Sequence, residues 1–412
     1  MKRVLIVSRA FPPINASGAV RVGKLAKYLP QFGWEPVVLT IANGINLPQT
    51  LAVEMDETKI VRVPHFYLGR SITRIRPLGV LYELPIIGTL LSEPIGWYFH
   101  AVKEGLKILD KENIDVIFSS SLPKTSHLIA SRLHQKTKIP WVAEYRDLWV
   151  NPYNNRSRFY NFFERKLEIA MMKGCALLIT VSESTVKELE AVHSKRVETI
   201  HNGFDEEDYL EDVPLTSKFT LTYTGGIYAG KRDPTPLFQA VAELSKEGKI
   251  SPEDFEVRFY GGSSVGNLQP IIESYHLKKI VKIYGFVSFK ESTKRQKEST
   301  ALLLLEWNNP LARHNYSGKI FEYLGAHRPI LAIAYKTGAI DRLLQETGAG
   351  ILANEVKAIK DVLSRWLEEW HKSGKITSHW SPNLNTINKY TRKKQAGKLA
   401  QLLEEASVCR IA

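Results

Sequence analysis

Short apolar runs alternate along this chain with longer stretches whose apolar positions fall three and four apart. The first run, 4–7, is followed by a helical pattern over 20–32, then by strand-like 36–40 and 115–119. Helix-like 127–136, 159–172 and 184–191 are interleaved with strand-like 141–144, 176–181 and 197–200. An acidic, Pro-containing stretch at 205–217 interrupts the pattern, which restarts with strand-like 219–223 and helix-like 235–246. Further strands are expected at 255–260, 281–284, 301–305, 330–333 and 350–352, with helices at 319–326 and 339–346 among them. Apolar runs of strand length separated by amphipathic helices predict right-handed βαβ units and mostly parallel sheets. The restart predicts an α/β chain with two consecutive doubly wound domains, residues 1–205 and 206–385, followed by a helical segment over 386–412. Such sheets bind ligands beyond the carboxyl ends of their strands, so the loops after each strand are where chemistry is expected.

Composition narrows the partners. Of 412 residues, 44% are hydrophobic and 24% charged, the profile of a globular protein. Cys175 and Cys409 lie too far apart for a metal-ligand spacing or a disulfide framework, which favours a reducing, cytoplasmic setting. The run 4–7 is too short for the apolar core of a signal peptide, and no stretch reaches the ~18 apolar residues of a membrane span. A net charge of +13 favours anionic partners: nucleic acid, an acidic lipid surface or a phosphorylated small molecule. No zinc finger, RNA-binding motif or aromatic stacking platform supports nucleic acid. The segment 70–100 begins with Arg70, Arg74 and Arg76, turns apolar, and ends in Trp97, Tyr98 and Phe99. It reads either as a surface that rests on an anionic membrane or as a buried helix pair. Lys24 and Lys27 on the first helix would extend a basic face.

Three loops carry candidate chemistry. After the first strand, residues 8–21 form a small-residue loop opening a helix, with Gly18 and Arg21 in it. A helix start attracts anions, but alone this is a plain strand-to-helix turn. In the second, Tyr223-Thr224-Gly225-Gly226-Ile227-Tyr228-Ala229-Gly230-Lys231-Arg232-Asp233-Pro234, glycines, two adjacent cations and a helix start coincide. Glycines let a backbone approach a ligand, and Arg with Lys suits a diphosphate. In the third, Ser317 is placed to cap a helix, with Lys319 in its first turn and Glu322 three residues on. A cation there opposes the helix dipole unless an anion is bound. Glu322 either holds two neighbouring sugar hydroxyls or pairs with Lys319. His127 and His201 lie near expected strand ends, although a lone histidine is more often structural than catalytic.

The ordered set Ala143-Glu144-Tyr145-Arg146-Asp147-Leu148-Trp149, Ile200-His201-Asn202-Gly203-Phe204-Asp205, residues 223–231 and residues 317–329 resembles the retaining GT-B glycosyltransferases of family 4. Residues 120–128 resemble its bacterial cell-envelope polysaccharide branch. The resemblance implies two Rossmann-like domains facing across a cleft, with the last helix crossing back to the N-terminal one. It implies an enzyme that moves a sugar from a nucleotide-diphosphate donor to a glycan or lipid-linked acceptor, with no cofactor and no metal. Gly18, Gly226, Lys231, Arg232, Lys319 and Glu322 then belong to the donor site, Glu322 on the ribose. Asp147, Arg146 and Lys231 are the catalytic candidates, and Arg21, His127 and Trp149 lie on the acceptor side. One departure stands out: His314 replaces the family's first glutamate, which contacts the transferred sugar. A nucleotide-sugar epimerase of the same fold and a non-catalytic scaffold are the alternatives.

Overall fold

The computed structural model describes residues 1–42, 48–66, 95–150, 157–228 and 230–408, apart from the side chains of Ile95 and Ser263. The chain divides into two compact units, residues 1–201 with 392–412, and residues 202–391.

Unit 1 holds a parallel seven-stranded sheet in the order β3-β2-β1-β4-β5-β6-β7. Its strands are β1 (Lys2–Val7), β2 (Trp34–Ile41), β3 (Ile60–Val63), β4 (Val116–Ser121), β5 (Trp141–Tyr145), β6 (Leu177–Thr180) and β7 (Val197–Thr199). Side chains alternate across the pleat. Leu5 and Val7 therefore enter one apolar cluster while Val4 and Ile6 enter another. Trp97 and Ala101 of α2 (Ile95–Lys111) and Leu133 of α3 (Thr125–Thr137) pack into the first cluster. The second takes Val22, Leu25 and Ala26 of α1 (Ser17–Tyr28). Helices α4 (Arg158–Met172) and α5 (Glu183–His193) complete the βα alternation. α1 begins three residues before the expected start. It ends where Pro30 leads into a tight turn over Leu29–Phe32, closed by Gly33 at φ +83°.

Unit 2 holds a parallel six-stranded sheet in the order β10-β9-β8-β11-β12-β13. Its strands are β8 (Phe219–Thr224), β9 (Phe255–Tyr260), β10 (Val281–Gly285), β11 (Ala301–Leu305), β12 (Ile330–Ile333) and β13 (Gly350–Leu352). Its longer helices are α6 (Thr235–Lys246), α7 (Phe289–Lys297), α8 (Gly318–Ala326), α9 (Ala339–Thr347) and α10 (Val356–Ser373). The last helix, α11 (Arg392–Val408), belongs to unit 1, where Ala396, Leu399 and Leu403 join the cluster that holds Val22 and Leu25.

The sequence pattern missed β3, α2, α7 and α10. It also placed the unit boundaries a few residues late at 205 and early at 385. The acidic stretch is not a bare linker: Tyr209 is buried and its hydroxyl donates to Gln296 at 3.1 Å, and Phe204 N–H donates to Tyr390 O at 3.2 Å. Of the expected basic and apolar segment 70–100, Arg70, Arg74 and Arg76 lie outside the described residues. In its described end Trp97 is fully buried and Phe99 is exposed. Lys24 and Lys27 do not extend a basic face, because each ammonium lies 2.7 Å from a Glu54 carboxylate oxygen.

Candidate active site

In unit 2 the winding of the sheet reverses between the neighbouring strands β8 and β11, so the loops after these two strands open beside each other. β8 runs into Gly225, at φ +122°, whose N–H donates to Tyr260 O at 2.7 Å. A Cβ on Gly225 would overlap Cε of Lys319, so this glycine lets the lysine stem lie across the turn. The Gly226 carbonyl accepts from the Tyr223 hydroxyl at 2.7 Å and from the Arg232 guanidinium at 2.9 Å. The same guanidinium stacks 4.4 Å from the Tyr228 ring and faces Glu306 at 3.5 Å. Lys231 is exposed, with its ammonium 5.1 Å from the Trp307 ring.

The third side of this site is the start of α8. Ser317 occupies the N-cap position, but its side chain makes no capping hydrogen bond, and its buried Oγ has no partner. The expected cap is therefore geometric only. Half-buried Lys319 follows, its ammonium 5.5 Å from the Tyr223 ring. Desolvation and the Arg232 charge push its pKa down to about 8, against the pull of Glu306 and Glu322. Tyr323 fixes the helix to the sheet by accepting the Thr224 N–H at 3.0 Å. Two cations, a helix start and an unsatisfied hydroxyl thus converge on one turn, and a bound anion would relieve all three. Glu322 is half-buried one turn along the same helix. His314 is exposed and accepts from Arg313 Nε at 2.9 Å. Burial, then the charges of Arg313 and Arg342, hold its pKa below the ordinary histidine value.

In unit 1 the switch lies between β1 and β4. Arg146, just after β5, donates from Nε to Ser121 O at 2.5 Å and from Nη2 to Leu122 O at 2.9 Å. A Cβ on Gly18 would overlap this guanidinium. Gly18, in the first turn of α1, thus leaves room for the Arg146 guanidinium to lie against it. Asp147 is exposed; the protein around it raises its pKa by desolvation, an effect that the Arg146 charge opposes.

The three candidates expected on the acceptor side, Arg21, His127 and Trp149, are all buried. Arg21 is 1% exposed. Its guanidinium donates to Glu144 at 2.7 and 3.0 Å, to Ile200 O at 2.8 Å and to His201 O at 2.7 Å. Burial alone would raise the Glu144 pKa, but Arg21, Ser120 and Arg146 outweigh it and keep the carboxylate ionised. Trp149 donates from Nε1 to Glu164 at 2.9 Å. His127 is fully buried, and desolvation lowers its pKa to about 3, so the ring is neutral. Ser119 Oγ accepts from Trp141 Nε1 at 2.7 Å and lies 2.8 Å from His127 Nδ1. These residues hold the end of the sheet together. His201 likewise turns Nδ1 to Val181 O at 3.2 Å. Sequence reasoning missed Glu306 and Trp307, whose only sequence signal is their place directly after a strand.

Residues 18–208 match the family model described as Glycosyltransferase Family 4. Among solved structures, HepE of Anabaena in complex with UDP is similar at TM-score 0.64 and 14% identity, over 98% of this chain and 100% of that one. Sucrose-phosphate synthase of Thermosynechococcus elongatus is similar at TM-score 0.64 and 14% identity, over 99% and 100%. The lipopolysaccharide outer core galactosyltransferase WaaB in its apo form is similar at TM-score 0.56 and 13% identity, over 98% and 100%. Identities this low speak to the fold. No curated protein matches the chain by sequence. Residues 18–208 are thus similar to Glycosyltransferase Family 4, and the likeness along nearly the whole length gives the chain the two-unit α/β fold of GT-B glycosyltransferases.

Proposed function

We propose that this protein is a glycosyltransferase that takes its sugar, with retention of anomeric configuration, from a nucleoside diphosphate donor bound in unit 2. The observation that carries the reading is the convergence of Arg232, Lys319 and the open start of α8 on the Gly225-Gly226 turn. Diphosphate is the leaving group of such a donor, and fixed cations aimed at it stabilise the charge that develops as the glycosidic bond breaks. Arg232 and Lys319, with Lys231 at the solvent side, supply that charge without a divalent metal. Glu322 accepts hydrogen bonds from the ribose hydroxyls. The departing phosphate is itself the anionic partner for an oxocarbenium-like sugar. Arg146 and Asp147 take the acceptor side, and Gly18 admits Arg146 to its place. UDP is the nucleotide to try first, since the HepE structure holds it. The acceptor is a glycan or lipid-linked glycan of cell-envelope polysaccharide synthesis, supported by the similarity to a lipopolysaccharide galactosyltransferase.

The test is to incubate the protein with a panel of labelled nucleotide sugars and envelope glycan acceptors, with EDTA present, and to follow the anomeric carbon by NMR. Transfer or slow hydrolysis with retained configuration is expected. Inverted product would overturn the retaining assignment, loss of turnover with EDTA the metal-free one. Nucleotide binding without any turnover would favour a non-catalytic binding protein, in line with His314 at the sugar end.

A further inference from the structure

Helix α4 is patterned inside out. Its two acidic residues, Glu164 and Glu168, are buried beside Tyr160, and its three phenylalanines face solvent. Glu164 accepts from Lys124 at 2.5 Å and from Trp149 Nε1 at 2.9 Å. Glu168 accepts from Arg165 at 2.8 Å and lies 3.2 Å from His193. Buried carboxylates are costly unless paired in this way, so these contacts lock the rotation of the helix.

The outward face then carries Phe159, Phe162 and Phe163, exposed by 64%, 57% and 39%. Their rings touch edge to face, Phe159 with Phe163 at 4.7 Å and Phe162 with Phe163 at 5.5 Å. Arg158, Lys166 and Lys173 are exposed alongside, and Lys166 lies 5.6 Å from the Phe162 ring. Neither acidic residue of the helix reaches this face. Single exposed apolar residues are ordinary, but three contiguous phenylalanines are not, and among the described residues of the helix the exposed charges beside them are all cations. The charge of the chain points the same way. Unit 1 carries 32 Lys and Arg against 20 Asp and Glu, and unit 2 carries 24 against 23, so nearly all of the +13 belongs to the unit that contains α4.

We propose that the outer face of α4 docks on an anionic lipid surface, with the phenylalanines inserted at the headgroup level and Arg158, Lys166 and Lys173 facing lipid phosphates. A helix lying in the interface with an aromatic face and cationic flanks binds in this way, by apolar burial together with attraction to anionic lipids. A neutral protein partner would not require the cations, and an acidic one would not require three phenylalanines at one depth. No described helix is long and apolar enough to cross a membrane, so the contact is peripheral as far as the described residues go. This inference stands apart from the donor site, which lies in unit 2.

The test is co-sedimentation of the full chain with vesicles of phosphatidylcholine alone and with 30% phosphatidylglycerol, a composition of about one anionic lipid in three chosen to give a strong surface potential. Wild type is compared with two variants, Phe159→Ser/Phe162→Ser/Phe163→Ser and Arg158→Glu/Lys166→Glu. Wild type partitions to the anionic vesicles and is released by salt. Each variant partitions at least about tenfold less, while its melting temperature and nucleotide binding stay at wild-type values. Equal partition to both vesicle types, or unchanged partition of both variants, would overturn the proposal. So would a wild-type dimer in solution that the triple substitution dissociates, since the face would then be a protein interface.

Discussion

Lys319 concentrates the electrostatics of the donor site. Its pKa of about 8 lies well below the ~10.4 of a free lysine. Between those values the unfolded chain holds a proton that the folded, ligand-free protein lacks. This group's contribution to stability therefore rises with pH across the window from about 8 to about 10.4. A bound diphosphate reverses the preference by favouring the ammonium. Nucleotide binding should thus take up a proton near pH 8–9, and affinity should fall as pH rises through about 8. Calorimetry in two buffers of different ionisation enthalpy measures that uptake. Lys319→Arg, whose charge does not titrate here, should abolish it, and persistent uptake in that variant would contradict the assignment. The cationic residues of this site were legible in the sequence because glycines, cations and a helix start coincide in it. Glu306, which faces Arg232 from 74 residues away, was not, because only the fold brings the two together. The burial of Arg21, His127 and Trp149 was hidden for a related reason. A residue's place beside a strand end does not reveal whether its side chain turns into the core.

The start of α8 separates a helix cap from a ligand site. A capping serine replaced by alanine ordinarily costs about 1 kcal/mol. Ser317 makes no capping hydrogen bond, so Ser317→Ala should leave the ligand-free melting temperature nearly unchanged while it weakens nucleotide binding several-fold. A large stability loss with unchanged affinity would make Ser317 a structural cap after all. Gly225→Ala should do more, since it combines a strained φ with overlap on Lys319. Helix positions themselves were readable from apolar spacing, as α6 and α8 show. The inversion of α4 was not, because Glu164 and Glu168 look like solvent-facing residues until Lys124, Arg165 and Trp149 are seen beneath them.

At the scale of the molecule, unit 1 is closed by a segment far away in sequence. Removal of residues 392–412 would strip Ala396, Leu399 and Leu403 from the cluster around Val22 and Leu25. Large apolar side chains in a core are each worth about 2–5 kcal/mol on truncation, and domain stability is typically about 5–15 kcal/mol. The truncated chain should therefore lose the unfolding transition of unit 1 in calorimetry and keep that of unit 2. Two α/β units were foreseeable because the βα alternation restarts after 205–217. The junction was less so, since Phe204 and Tyr209 pack into unit 2 and make a polar-looking stretch part of its core. The central claim, a diphosphate donor held in unit 2, is tested most directly by calorimetric titration of UDP into the full chain and into a folded Lys231→Ala/Arg232→Ala variant. Saturable binding to the wild type and a loss of at least about a hundredfold in the variant, equivalent to about 2.8 kcal/mol, is the result expected. Equal affinity in the two proteins would contradict it.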